Sequence, residues 1–461
     1  MPGAPIELMA RTLYICYFGV REPLVQTQVL PYLRELGKLQ MATGRTSDLG
    51  TPEKLKISLL TFEPGRSESD RAEFEKIRTD LLAEGIEWDW LPYHKRPSAL
   101  ATAWDIARGA FFIWRRIARY DVLHGRVHVP TLMGALARKF SGHRPKLLFD
   151  IRGFFPEEYT DAGIWPENGW LYRGAKRIER WLMKEADGFV VLTERAREIL
   201  FPNADAKPIE IVEPSGRRSA LPLRGSEIGW IDEYGRPVEV IPCCMDIARF
   251  ESVSQSKRTE VRKLLGVESR QVIAYVGSLG GWYLSDDMMD FFAAAREADP
   301  NVFALILTQR EIAKAADQLR ARGFQDADFL VKSVSPAEVG DYLAGADVAL
   351  SFIKPCYSKL SSSPTKLAEY LACGLPIISN RGVGDVDALI AENEIGILLD
   401  GLDREAYLSA ISSVGALGDI RDRCRSVAER EFDLSHVAGK RYRRSYIRMT
   451  QNEDSPLVEA L

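Results

Sequence analysis

The stretch Ser361–Asp385, SSSPTKLAEYLACGLPIISNRGVGD, decides how the rest of the chain is read. Ser363 is placed to cap a helix, and Pro364 suits the first helical position, where its missing N–H costs nothing. Gly374 and Pro376 then stop that helix after about three turns. Pro376–Ser379 is short and apolar enough for a buried strand, and Gly382, Gly384 and Asp385 form a tight loop capping another helix. The order of loop, helix, strand, glycine loop and helix is a βαβ fragment with two helix N-termini, each suited to an anion. Lys366 falls in the first turn, where the helix dipole disfavours a cation by about 0.3–1 kcal/mol. A bound phosphate reverses that penalty. The alternative is an exposed lysine paired with Glu369, worth about 0.2–0.5 kcal/mol. Spacing alone leaves both open.

The 461 residues, 46% hydrophobic and 27% charged, are those of a globular protein too long for one core, so two domains are expected. A net charge of −4 argues against wholesale nucleic-acid binding. The six cysteines, at 16, 243, 244, 356, 373 and 424, lack metal-ligand spacing and read as reduced core thiols. No apolar run reaches the roughly eighteen residues of a membrane span, and the N-terminus lacks a signal-peptide pattern. The expected location is cytoplasmic, with the inner face of the membrane as the one other possibility.

Outward from the opening stretch, both halves repeat a parallel-sheet rhythm. Thr12–Phe18 is a strand, followed by Gly19 and a helix expected from Thr27 to Gly37 with Val29, Leu30, Leu33 and Leu36 on one face. Strands are expected at Lys56–Phe62, Ile86–Leu91, Asp121–His124, Lys146–Asp150, Gly188–Leu192 and Glu239–Pro242. Helices alternate at Asp70–Glu84, Thr131–Phe140 and Arg173–Ala186, and a helix capped by Thr193 runs through Leu200. Pro208–Arg236 reads as an irregular insertion. Arg126, His128, Asp150, Arg152 and Glu157 fall on loops at strand ends, where sites belong in a doubly wound sheet. The pattern breaks near Met245–Ser256 and restarts at Val272–Val276 with the loop GSLGGWY. In SVSPAEVGD, Ser335, Pro336 and Glu338 read as a capping box. Glycine loops at Gly277–Gly281 and Gly382–Gly384 would let backbone amides approach phosphate closely.

Two segments invite sharper readings. Residues 95–120, KRPSALATAWDIARGAFFIWRRIARY, carry six Lys/Arg against one Asp, with Trp104, Phe111, Phe112 and Trp114 interleaved. That is the composition of a membrane-interfacial helix, although a helix packed on the sheet with a solvated basic face is the commoner case. Asp326-Ala327-Asp328 has the spacing of a metal-binding pair but precedes a strand, so a turn is the better reading.

The chain resembles a GT-B glycosyltransferase of the retaining family 4 over most of its length. The resemblance rests on CYFG followed by QVLPYLREL, DVLHGRVHVP, LFDIRGFFPEE, ADGFVVLTERA, VIPCCMDIARF, YVGSLGGWY and above all SPTKLAEYLACGLPIISNRGVGD. It implies two Rossmann-like domains facing across a cleft: residues 1–245 for the acceptor, joined by a C-terminal helix at 434–461, and 246–433 for a nucleotide-sugar donor. By that resemblance Glu369 binds the ribose hydroxyls. Gly280, Gly281, Ser363, Thr365 and Lys366 bind the diphosphate, and Gly19 meets a donor phosphate from the first domain. Arg126, Asp150 and Arg152 face the transferred sugar and the acceptor as the catalytic set. No metal or other cofactor is implied. Two departures stand out. Ser361 replaces a glutamate usual eight positions before Glu369, and Ser278 and Trp282 occupy the loop where the family carries Arg and Lys, leaving the phosphate charge to Lys366, Lys359 and helix dipoles.

The resemblance implies transfer to an acceptor hydroxyl with retention, in polysaccharide, glycolipid or cell-surface glycan synthesis, and the composition of 95–120 adds peripheral membrane contact as an expectation. A non-catalytic nucleotide-sugar-binding protein, or an epimerase or phosphorylase on the same fold, are the alternatives.

Overall fold

The computed structural model describes residues 11–38, 40–41, 53–64, 68–94, 98–208, 211–212, 218–219 and 228–450. The chain forms two compact units, Met1–Ile241 with Val437–Leu461, and Pro242–His436.

The first unit contains β1 Arg11–Ile15, α1 Pro23–Gln28, α2 Leu30–Gly37, β2 Lys56–Pro64, α3 Glu68–Ala83, β3 Ile86–Tyr93, α4 Ser98–Trp114, β4 Val122–Arg126, α5 His128–Lys139, β5 Lys146–Ile151, α6 Phe155–Asp161, α7 Trp170–Glu185, β6 Gly188–Val191, α8 Glu194–Leu200, β7 Asp205–Pro208, β8 Ile228–Ile231 and β9 Pro237–Val240. One sheet runs in the order β3-β2-β1-β4-β5-β6-β9-β8-β7. It is parallel as far as β9, and β8 and β7 add antiparallel strands at the edge. The central strands are buried on both faces, which is why they read as unbroken apolar runs such as Leu13-Tyr14-Ile15-Cys16. Strand order reverses around β1, between β2 and β4, and ligands in such sheets bind outside the carboxyl ends at that reversal.

The second unit contains α9 Gln255–Leu265, β10 Gln271–Val276, α10 Ser285–Ala298, β11 Val302–Leu307, α11 Ile312–Ala321, β12 Phe329–Lys332, α12 Val339–Ala344, β13 Val348–Ser351, α13 Thr365–Ala372, β14 Ile377–Asn380, α14 Val386–Asn393, β15 Gly396–Leu399, α15 Arg404–Ala416 and α16 Arg421–Phe432. Its six strands are all parallel, in the order β12-β11-β10-β13-β14-β15. Alternate residues of β10 enter opposite cores: Val272 and Ala274 pack with Leu367 and Leu371, Ile273 and Tyr275 with Phe291 and Phe292. Both units are the Rossmann-like α/β domains of the GT-B fold class.

Several elements depart from the sequence expectations for identifiable reasons. The helix expected over Thr27–Gly37 is two helices broken at Val29 (φ −123°, ψ −62°), because the ring of Pro31 obstructs the carbonyl four residues earlier. The helix expected from Thr131 begins at His128, and the Thr131 hydroxyl instead donates back to the Val127 carbonyl at 2.7 Å. Phe155–Asp161 is a short helix where a loop was expected, with Pro156 in its first turn. The insertion expected at Pro208–Arg236 supplies strand β8, and much of it lies outside the described residues. Ser335 and Glu338 bond as in a capping box, the carboxylate accepting from the Ser335 N–H at 2.8 Å, but they close a turn ahead of α12 rather than its first turn. The final helix, expected from Leu434, is a π-type turn over Leu434–Gly439 and then a helix at Lys440–Thr450. The last eleven residues, and residues 1–10, lie outside the described residues.

Candidate functional site

In the second unit the stretch Ser361–Asp385 follows β13, builds α13 and β14 and leads into α14, with α13 entering from a 3-10 turn at Tyr357–Ser361. Pro364 occupies the N-cap rather than the first helical position, and no side chain caps the helix. Ser363, expected as that cap, accepts from the Cys243 N–H at 3.0 Å instead. Its hydroxyl thus ties α13 to the segment entering this unit. Thr365 is exposed at the first turn. At α14, Asp385 makes no side-chain cap bond, and the Gly382 N–H donates to Asp387 at 3.1 Å.

Lys366 is not the exposed, Glu369-paired lysine that was one of the two readings of its spacing. It is 5% exposed and forms no ion pair with Glu369 among the described residues. Its Nζ donates to the Tyr275 hydroxyl at 3.1 Å and lies 4.2 and 4.1 Å from the ring centroids of Tyr275 and Tyr283. Burial lowers its pKa to about 7, with Glu369 pulling weakly the other way. A side chain at Gly277 would meet Nζ at 3.1 Å, and φ there is +134°, so the loop carries a residue without a Cβ beside the lysine. Beyond it, Gly280 and Gly281 have φ of +75° and +63°, and a side chain on either would meet nothing, leaving their backbone open. The Gly280 N–H donates to Ser285 at 2.6 Å. Lys359 is also buried, its Nζ 4.1 Å from the Trp282 ring. The loop residue that departs from the family pattern therefore carries one lysine and its neighbour Tyr283 carries the other.

Glu369, three residues after Lys366 on α13, is half-buried. Burial raises its pKa, opposed by Arg249 and Lys366. Arg249, in the turn Ile247–Phe250, was missed in the sequence, although it lies inside the quoted motif VIPCCMDIARF. Ser361, at the position of the missing glutamate, is buried, and its hydroxyl donates to the Ser358 carbonyl at 2.8 Å.

In the first unit, the residues expected together divide into two buried groups. Arg126 and Asp150 lie on adjacent strands, and Arg152 follows β5. Asp150 is fully buried. It accepts from Arg152 Nε at 3.0 Å and from the Tyr442 hydroxyl at 3.0 Å, and His124 Nε2 lies 3.5 Å away. Arg152 Nη2 donates to the same Tyr442 hydroxyl at 2.7 Å, and Arg126 donates to the Gln28 carbonyl at 3.2 Å. Although burial works against it, the surrounding cations hold the Asp150 carboxyl far below the usual carboxylate range, Arg152 most strongly. Burial lowers the His124 pKa. His128 and Glu157 belong elsewhere, His128 with Glu179 at 3.0 Å and Glu157 with Lys176 at 3.0 Å. Between the groups Val127 takes φ +61°, a sparsely populated conformation for a β-branched residue, held by its N–H donating to the Asp150 carbonyl at 2.9 Å. At Gly19 a side chain would meet Glu63 Oε2 at 2.7 Å, so Glu63 would have to shift to admit one.

Asp326 and Asp328 form the 3-10 turn Asp326–Asp328 and are engaged by arginines, Asp326 with Arg320 and Asp328 with Arg270 at 2.8 Å each, and Asp328 also with Arg296 at 2.5 Å.

Two family models match the chain. A "Glycosyl transferase 4-like domain" covers residues 31–214 and "Glycosyl transferases group 1" covers residues 256–431. The chain belongs to the family 4 glycosyltransferases of the GT-B fold. A D-inositol 3-phosphate glycosyltransferase of Corynebacterium urealyticum is 24% identical over 216 residues, 45% of this chain. The match spans about half of that relative, 48% of its length. Among solved structures, this family 4 glycosyltransferase resembles Anabaena Alr3699/HepE in complex with UDP and glucose, at TM-score 0.59 and 14% identity over 93% of this chain and 97% of that one. It also resembles a glycosyltransferase of Rickettsia africae, at TM-score 0.61 and 14% identity over 97% and 100% of the two chains. At such identity these neighbours speak for the fold alone. Of its described helices, none is long and apolar enough to cross a membrane.

Proposed function

We propose that this family 4 glycosyltransferase moves a sugar from a nucleotide-sugar donor to an acceptor hydroxyl with retention of configuration, without a metal. The observation that carries the donor half is Lys366. It is a lysine kept in an aromatic, low-dielectric pocket at a helix N-terminus, without an ion pair among the described residues, beside a glycine loop of open backbone. Such a group lacks only an anion to become a charged donor.

In this reading the diphosphate docks against the first-turn amides of α13 and the Gly280–Gly281 backbone, with Ser363 and Thr365 at the helix entrance. Lys366 takes up a proton as the anion arrives, and Glu369 accepts the ribose hydroxyls. Negative charge grows on the departing diphosphate as the glycosidic bond breaks. Amides already aimed at it stabilise that charge without reorganisation. The acceptor hydroxyl enters on the leaving-group face and passes its proton to the departing phosphate oxygen. Arg126, Asp150 and Arg152 shape the end of the first sheet that receives the acceptor. The acceptor is a sugar, glycan or lipid-linked saccharide of polysaccharide, glycolipid or cell-surface glycan synthesis. Peripheral contact with the inner face of the membrane runs through residues 95–120.

A thermal-shift screen against nucleoside diphosphates and their sugars tests the donor half, since ligand at a hundred times its Kd adds about 2.7 kcal/mol. Proton NMR of the first product formed reads the anomeric configuration. A shift with nucleoside diphosphates supports the reading, no shift with any of them ends it, and an inverted product removes retention.

A further inference from the structure

Helix α4 is apolar on the side that faces solvent. Leu100, Trp104, Phe111 and Trp114 are 72%, 59%, 57% and 44% exposed, and Ala103 and Ala107 between them are exposed as well. Their spacing of three and four residues sets all six on one stripe, about 21 Å long at 1.5 Å per residue. The opposite face, Ala101, Asp105, Gly109 and Ile113, is what packs inward. The sequence favoured the reverse, a solvated basic face. The indole N–H of Trp114 donates to the Phe140 carbonyl at 2.9 Å, which brings Phe140, itself 73% exposed, beside the end of the stripe.

Cations border this face. Arg108 stands one turn after Trp104, and Arg115 one turn after Phe111, 5.9 Å over its ring. Arg116 covers Phe112 at 3.8 Å, Arg119 follows one turn later, and Lys139, next to Phe140 in sequence, lies 5.5 Å over the Trp181 ring. None of these five forms an ion pair among the described residues, whereas most arginines of this chain do.

We infer that this face seats the protein on an anionic lipid surface, with Leu100, Trp104 and Phe111 entering the headgroup boundary and Arg108, Arg115, Arg116 and Arg119 meeting lipid phosphates. An exposed ridge of aromatic residues edged by unpaired cations suits a plane that is apolar beneath and negative above. A second copy of this chain fits worse, because a two-fold contact through the face would bring the same arginines together. The inference deepens the peripheral contact proposed above and does not depend on the donor chemistry.

The test is co-sedimentation with vesicles of phosphatidylcholine, alone or with one third phosphatidylglycerol, without nucleotide, so that its failure leaves the donor screen untouched. Wild type is expected to sediment with the anionic vesicles and not the neutral ones, and to be released by molar salt. The double variants Trp104→Ser/Phe111→Ser and Arg115→Glu/Arg116→Glu each lower the partition at least about tenfold while keeping the wild-type circular dichroism and melting temperature. No sedimentation with anionic vesicles, equal sedimentation with both kinds, or unchanged partition of both variants would overturn the proposal. So would a wild-type dimer that Trp104→Ser/Phe111→Ser converts to monomer.

Discussion

The ammonium nitrogen of Lys366 stands 3.1 Å from the hydroxyl of Tyr275, which itself donates to the Ser278 carbonyl at 2.5 Å. The contact joins the first turn of α13 to the loop after β10, the two pieces of backbone proposed to hold a diphosphate.

Because burial brings the Lys366 pKa down to about 7 from 10.5, the folded protein binds fewer protons at this site than the unfolded chain over that window. Stability contributed here is therefore greatest above pH 10.5 and falls as pH drops toward 7. Lys366→Met, which keeps the volume and removes the charge, should be more stable than wild type near pH 7 by an amount on the order of a few kcal/mol, with the gap narrowing at pH 9 to 10. Urea denaturation at several pH values measures it. Titration calorimetry at pH 8 in buffers of different ionisation enthalpy should also show proton uptake when a nucleoside diphosphate binds wild type. Binding without proton exchange would remove Lys366 from the phosphate site.

Glu369→Gln separates binding from folding. A charged hydrogen bond contributes about 1.5–3 kcal/mol, so losing the carboxylate should weaken nucleotide affinity by about tenfold or more. The melting temperature should hold or rise, because burial already disfavours the ionised form. Calorimetry with the nucleotide identified by the thermal-shift screen decides. Unchanged affinity would mean that the ribose is held elsewhere.

How much of this the sequence disclosed follows from the range of the forces involved. The βαβ order around α13 was legible because Gly374, Pro376 and the 3.6-residue period act locally. The partner of Ser363 was not, since the Cys243 N–H lies 120 residues away and no local signal marks it. Nor was the state of Lys366: whether it faces solvent or two tyrosine rings depends on a loop ninety residues earlier. Arg126, Asp150 and Arg152 were correctly placed near strand ends. Their burial under Tyr442, 292 residues from Asp150, is tertiary, and it rewrites what these charges face. On α4 the composition was legible, but the side turned outward was not, because aromatic residues normally turn in.

Metal independence is testable through the Asp326 and Asp328 pair, whose carboxylates are held by Arg320, Arg270 and Arg296. Sugar transfer should proceed unchanged in EDTA. Asp328→Asn should leave the rate unaltered and lower the melting temperature, since it weakens contacts to two arginines and to the Gln325 N–H at 2.9 Å. Loss of transfer in EDTA, restored by manganese, would show a metal requirement.

Tyr442→Phe removes one oxygen that serves both Asp150 and Arg152. Its hydroxyl donates to the carboxylate at 3.0 Å and accepts from the guanidinium at 2.7 Å, all within the buried core of the first unit. Leaving those groups short of a partner should cost about 1–3 kcal/mol, and Asp150→Asn, which leaves buried cations uncompensated, about 3–5 kcal/mol. The depressed Asp150 pKa fixes the sign with pH. Its contribution is fully present above the ordinary carboxylate pKa and is lost as pH falls below about 4. Tyr442→Phe should then lie below wild type in stability at pH 7 and approach it under acid. If the network serves only to lock the last helix onto the first sheet, this variant keeps the wild-type kcat at temperatures below its melting point. If Arg152 also meets the acceptor, kcat or KM for the acceptor shifts while nucleotide affinity stays as it was, and steady-state kinetics with acceptor varied tells the two apart.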